Sequence, residues 1–290
     1  MVKLHVKQGE TSLFLYETKC SVSVQELLKE IIELHNLRLK VDRLCDEVIN
    51  MADHGVALPP HMQGLTDEQV EELKLVDEWG IRCQPSGGVR NNKDPVGRRN
   101  GQAPNEKMQD VLKRTAEESR QMVSKKLIDA GTCLTLPMVQ TALDQLRGAT
   151  MIVYPMGLPP HEPVDMELKG EEDLSGTQAS KLVIALDQGA LWFSGKQMDT
   201  KKELADYIGR NEKTKIICKL QKQGHGAPAR EPIFTEDEQK KMMASAYKRQ
   251  EELKKLESAD DDSHLHSKWA DNHGLQRSFQ GLTDIGWKPK

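Results

Sequence analysis

Apolar positions along this chain fall into short alternating runs and longer stripes, and the two rhythms predict strands and amphipathic helices respectively. The densest signal lies at residues 191–220. Leu191-Trp192-Phe193 and Ile216-Ile217-Cys218-Lys219-Leu220 are short runs rich in β-branched and aromatic side chains, so each predicts a strand. Gly195-Lys196 marks a tight turn after the first, and Leu204-Ala205-Asp206-Tyr207 is a short segment before the second. Upstream, Thr150–Pro155 predicts a strand stopped by proline, and Pro163–Leu168 alternates like a half-buried strand. Thr177 is expected to cap a helix with Ala179, Leu182, Val183 and Leu186 as its stripe and Gly189 as its end.

The N-terminal pattern begins the same way. Lys3–Lys7 and Ser12–Tyr16 predict a hairpin across Gln8-Gly9-Glu10. Ser21 or Ser23 starts a helix with Val24, Leu27, Leu28, Ile31 and Leu34 on one face, and Ser23-x-x-Glu26 fits a capping box. A second helix is expected over Leu37, Val41, Leu44, Val48 and Met51, ending at Gly55, and Thr66-x-x-Gln69 opens a short one with Val70, Leu73 and Val76 inward. Pro85–Pro104 turns to Gly, Asn, Pro and Arg and reads as a mobile linker, its Arg98-Arg99 pair more simply solvated than bound to a partner. Asn105–Ala130 predicts the longest helix, and Thr135–Gly148 a shorter one that folds back on it. Thr235-x-x-Glu238 opens a charged helix to about Ser258, followed by a polar tail. The expected organisation is therefore 1–84 hairpin and helices, 85–104 linker, 105–148 helical hairpin, 149–223 a strand-and-helix domain, and 224–290 helix and tail.

Composition changes this picture only at its margins. Apolar residues make up 37% and charged residues 30% of the chain, which suits compact parts joined by solvated segments. The net charge of −4 comes from interleaved acidic and basic residues, so no nucleic-acid footprint stands out. Five scattered cysteines without a C-x-x-C pair suit a reduced, cytosolic chain. No apolar run approaches a membrane span or a signal peptide, and the expectation is a soluble intracellular protein.

Chemistry is conspicuous by its absence. No phosphate loop, dinucleotide fingerprint, zinc-protease helix or nucleophile elbow is present, so no catalytic residue, cofactor or enzyme activity is expected. His264-x-His266 beside an Asp run lacks a fixed third ligand, so no metal is expected. Cys20, Cys45 and Cys218 sit in apolar contexts and read as small core residues. Binding has more support. Strand alternation puts Ile216, Cys218 and Leu220 on one face, with Lys215, Ile217 and Lys219 on the other, while Trp192 opposes Leu191 and Phe193. Trp192 and Ile217 are expected to form an apolar spot rimmed by Lys196, Lys215 and Lys219, unless flanking helices cover Trp192. Trp269, Phe279 and Trp287 in the polar tail are candidate anchors for a partner or for the chain's own domain.

Two resemblances add to this reading. Leu191–Met198 through Glu203–Tyr207 to Thr214–Leu220 resembles the C-terminal half of ubiquitin: strand, Gly-Lys-Gln-apolar turn, Leu-x-Asp-Tyr and last strand. It implies an α+β fold with a ubiquitin-like β-grasp at 149–223. The N-terminal strand-strand-helix would then be the start of a second, diverged copy, and Gln223-Gly224-His225-Gly226 is followed by further chain, so no free diglycine end is expected. Strings such as Asn36-Leu37-Arg38-Leu39-Lys40-Val41, Arg98-Arg99-Asn100-Gly101-Gln102-Ala103-Pro104 and Met151-Ile152-Val153-Tyr154-Pro155-Met156-Gly157 resemble the Kurly family of cilia- and flagella-associated proteins. That resemblance implies a non-enzymatic adaptor in motile cilia, active in cytoplasmic assembly of outer dynein arms and in cilium positioning. The implied partners are dynein arm subunits or assembly factors. The alternative is a structural component at the axoneme or basal body.

Overall fold

Strands from opposite ends of the pattern meet in one sheet. The computed structural model describes residues 1–229 and 236–258, and the chain divides into two units, Met1–Arg230 and Glu231–Lys290. The first unit opens with strands β1 (Val2–Gln8) and β2 (Thr11–Thr18) and helix α1 (Val24–His54). Short helices α2 (Asp67–Glu72) and α3 (Glu78–Arg82) lead to a small hairpin, β3 (Val89–Asn91) with β4 (Gln102–Pro104). Helices α4 (Glu106–Met122), α5 (Lys126–Asp129), α6 (Leu136–Val153), α7 (Pro163–Lys169) and α8 (Gln178–Leu182) follow. Strands β5 (Gly189–Phe193) and β6 (Lys196–Gln197), helix α9 (Ala205–Ile208) and strand β7 (Lys215–Lys222) complete the unit. The second unit contributes helix α10 (Glu236–Ser258), whose side chains from Asp237 to Glu257 are all exposed.

The five-stranded sheet runs β2-β1-β7-β5-β6. β1 and β7 lie parallel at its centre, with Leu4 opposite Ile216 and Val6 opposite Cys218. The other neighbours are antiparallel. Alternation gives β1, β5 and β7 an apolar side, and Val2, Leu4, Val6, Leu191, Ile216, Cys218 and Leu220 are all buried. Helix α1 covers that side. It crosses β5 so closely that a Cβ added at Gly189 would stand 2.3 Å from Ile32 Cδ1. The β5–β6 hairpin turns on Ser194 and Gly195, both at positive φ (49° and 77°), as a tight two-residue connection demands.

At 31 residues α1 is about 46 Å long, more than a sheet of this width can cover. Its second half packs instead against α4 and α6, where Leu44, Val48, Met51, Leu112, Ala116, Val139, Ala142 and Leu146 are buried together. Polar side chains stitch the same seam: Arg38 Nε donates to Val123 O at 3.0 Å, and the Cys45 thiol to Ala116 O at 3.2 Å.

Several expectations are overturned. Thr150–Val153 is the last turn of α6, not a strand, because Leu146, Ala149, Thr150 and Val153 extend a helical face past Gly148. Pro163–Leu168 lies within α7. Proline suits a first helical position, and Val164 and Glu167 at i and i+3 are the residues it buries. The sheet is therefore not contained in 149–223: its other two strands and its covering helix come from residues 1–54. Those N-terminal elements belong to the same sheet and are not a second copy. Residues 55–188 separate the two halves.

Smaller corrections follow the same logic. The two helices expected before Gly55 are one, α1, capped by the Ser23 side chain on Glu26 N–H. Asn105 caps α4, but that helix stops at Met122 rather than continuing to Ala130. Leu73 and Val76 lie beyond the end of α2 and are exposed, as are Leu182 and Leu186 around α8. The stretch read as a linker, 85–104, is packed: Asp94, Arg99 and Ala103 are buried. Asp94 organises it by accepting from the N–H groups of Val96, Arg98 and Arg99, a side-chain substitute for regular pairing. Burial works against ionisation there, yet the three donors outweigh it and hold the carboxyl below its ordinary value. Cys20, Cys45 and Cys218 are buried, as their apolar contexts implied.

Candidate protein interface

The sheet's second face, turned away from α1, is where the proposed contact residues can be located by register. β1 supplies Lys3, His5 and Lys7, and β7 supplies Lys215, Ile217 and Lys219 alongside them. Trp192 on β5 stands directly across from Lys219, which makes Ile217 its diagonal neighbour on the same face. Ile217 is 41% exposed, an isolated branched side chain between His5 on β1 and the diagonal Trp192. Lys3 and Lys215 are adjacent and exposed, so their charges reinforce one another.

The expected rim of three lysines is only partly assembled. Lys215 is on it. Lys219 is buried, and its Nζ donates to Ala229 O at 2.6 Å, so the chain's own backbone occupies it. Lys196 pairs with Phe193, which points with Leu191 toward α1, so register places Lys196 on the opposite face of the hairpin from Trp192. Gln197 takes the place beside Trp192. Trp269, Phe279 and Trp287 lie outside the described residues, as does His264-x-His266.

Trp192 itself is half-buried. It lines a shallow groove with Ala190, Gln197, Lys222, Gln223, Gly224 and His225. The indole N–H is buried without a hydrogen-bond acceptor, and the Gln221 side-chain oxygen, two residues along β7 from Lys219, is buried without a donor. Buried polar atoms without partners are uncommon, and an unpaired donor and acceptor on one face complement a group that offers both, such as an amide.

The strongest electrostatics lie elsewhere, in the 55–188 insertion. Glu162, fully buried, accepts from Arg99 Nη1 at 3.0 Å and from Ala57 N–H at 2.6 Å. Arg99 also donates to Gly55 O at the end of α1 and to the Glu47 carboxylate at 2.7 Å. Burial pushes the Glu162 carboxyl up, and Arg99 and the Ala57 N–H pull it back. A second cluster ties α7 to α1: Arg43 donates to Glu167 at 2.6 Å and to Glu172 at 2.8 Å. Neither cluster was legible in the sequence, because its members are tens of residues apart and the only local cue, Arg99 in a Gly- and Asn-rich stretch, also suits a linker. Both are clasps between elements.

Glu167 gives a pH signature. Burial first, then its hydrogen bond with Glu172, pushes its carboxyl up to about 8, with Arg43 opposing. The folded chain thus keeps a proton that the unfolded chain releases near the ordinary carboxylate value. Its contribution to stability is full below that value and is lost as pH rises toward 8. Urea unfolding should show stability falling across that window, by no more than about 1.4 kcal/mol per pH unit, and Glu167→Gln should flatten the slope. An unchanged slope in the variant would remove Glu167 as its source.

The thiols are placed as packing groups. Burial pushes Cys45 and Cys218 up to about 12, and raises Cys83 and Cys133 as well, which keeps them protonated at neutral pH. Among the described residues no group of three His, Cys, Asp or Glu side chains is placed to hold a metal, and no helix is long and apolar enough to cross a membrane.

Comparison with known proteins supplies the remaining context. A family model described as Cilia- and flagella-associated protein 298 matches residues 189–285. Cilia- and flagella-associated protein 298 of Danio rerio is 60% identical over 290 residues, covering all of both chains. The protein of that name from Homo sapiens is 57% identical over the same full length. Its Drosophila melanogaster counterpart is 48% identical over 288 residues, 99% of each chain. No solved structure matches.

Proposed function

Since the chain belongs to the cilia- and flagella-associated protein 298 family, we propose that it works in motile cilia as a non-enzymatic adaptor. In this reading it helps to assemble outer dynein arms in the cytoplasm and to position cilia, by holding dynein arm subunits or assembly factors. The observation that carries the ciliary part is identity of 57–60% with relatives of that name along the whole chain. The adaptor part draws on the outward sheet face, where exposed Ile217 lies beside Lys215 and Lys3 and diagonal to Trp192. We read the sheet and α1 as a ubiquitin-like grasp split by the 55–188 insertion, its strand order joining both ends of the unit. Protonated thiols favour a holding role over covalent transfer.

The test is affinity capture from ciliated-cell cytosol with the intact chain and an Ile217→Asp variant. That side chain is 41% exposed on the outward face, and circular dichroism checks that the variant keeps the fold. The expected result is recovery of dynein arm subunits or assembly factors by the intact chain, reduced about tenfold or more by the variant, as for a central interface residue. Equal recovery by both would remove the sheet face as the contact. Retention of the protein on salt-washed axonemes, with none in the detergent-soluble fraction, would overturn the assembly role.

A further inference from the structure

Helix α10 carries a second pattern, independent of the sheet face. Met242, Ala246, Arg249, Leu253 and Leu256 alternate four and three residues apart. At about 100° per residue they fall within an arc of about 80°. That is the 3.5-residue period of a helix–helix seam. The apolar members are bare: Met242 is 45%, Leu253 55% and Leu256 72% exposed. A helix of 23 residues draws most of its stability from packing an apolar stripe, and the side chains from Asp237 to Glu257 are all exposed.

The centre of the seam decides what can cover it. Arg249 is the midpoint of 242–256. A second copy aligned in parallel, or antiparallel about that midpoint, would set Arg249 against Arg249 in the least hydrated part of the contact. Like charges there repel, as they do in interfaces that reject wrong partners. Over Glu236–Ser258 acids and bases balance at six each, so the helix's overall charge selects nothing and the arginine on the seam is what discriminates. Attraction across such a seam requires an acid opposite the arginine, as buried charges in helix pairs are tolerated only when paired.

We propose that α10 is a docking helix for a partner helix that is apolar along its own seam and presents a carboxylate opposite Arg249. The seam spans only about two heptads, so binding is modest and depends on this charge pair for its selectivity.

The experiment uses the full chain and two synthetic helical peptides of about four heptads with leucine seams. One carries Glu and the other Lys at the position facing Arg249. Fluorescence anisotropy is expected to show at least about tenfold preference for the Glu peptide, a difference of about 1.4 kcal/mol. Arg249→Glu should reverse the preference, and Leu253→Glu should abolish binding to both. Circular dichroism checks that each variant remains folded. Equal affinity for the two peptides, or binding to neither at millimolar concentration, overturns the proposal. So does self-association by sedimentation that Leu253→Glu removes, or binding to phosphatidylserine vesicles in preference to both peptides.

Discussion

Replacing Arg99 with alanine is expected to lower the unfolding free energy by about 3–5 kcal/mol, the range seen when one member of a buried ion pair is removed. Arg99 keeps only 6% of its side chain exposed and Glu162 none. Without the guanidinium, Glu162 retains a single donor, the Ala57 N–H. Gly55 O, at the end of α1, loses its partner too, where a cation also offsets the negative end of the helix. The loss should be steep because the site cannot relax: Gly55 sits at φ 78°, with Gln102 O 2.4 Å from where a Cβ would be. Urea titration would measure the change. Pairing Arg99→Met with Glu162→Leu should recover part of it, since two apolar groups cost less than one stranded charge, although Ala57 N–H would then go unsatisfied. A loss below about 1 kcal/mol, the worth of an exposed pair, would mean that water reaches the cluster in solution.

The second large effect concerns autonomy. A fragment of residues 149–223 is expected not to fold, despite carrying three of the five strands. β7 takes its parallel neighbour from β1, and the apolar side of the sheet takes its cover from α1. Ile216, Cys218 and Leu220 would face water in the fragment. Burying a large aliphatic side chain stabilises by about 1.5–3 kcal/mol, so losing cover for this row alone removes an amount comparable with the roughly 5–15 kcal/mol that holds a typical domain. Far-ultraviolet circular dichroism and thermal melting should show no cooperative transition. A fragment that melts sharply would contradict the central position of β1.

The strands and helices of this chain were largely written in its local patterns, and the way they assemble was not. The hairpin over residues 2–18, the caps at Ser23 and Thr66, and the turn at Gly195 each depend on neighbours a few residues away, and each stands as read. Pro163–Leu168 misled because a six-residue run can satisfy a period of two and of 3.6 at once, and proline opens helices as well as ending strands. Arg99 misled because composition reports solvation on average, whereas Glu162 and Glu47 were 63 and 52 residues away. At the interface, alternation assigned Trp192 and Ile217 to one face correctly, but the rim needed cross-strand register. Pairing with Phe193 is what moves Lys196 to the other side.

The parallel contact between β1 and β7 has a consequence for birth of the protein on the ribosome. β1 ends at Gln8 and β7 begins at Lys215, so some two hundred residues must be translated before the sheet can close. At roughly 5–20 residues per second that interval is on the order of 10–40 s. Throughout it the N-terminal hairpin offers a bare strand edge beside Val2, Leu4 and Val6, the kind of template that pairs with whatever strand arrives first. The nascent chain is thus expected to need shielding by a chaperone until its own seventh strand emerges.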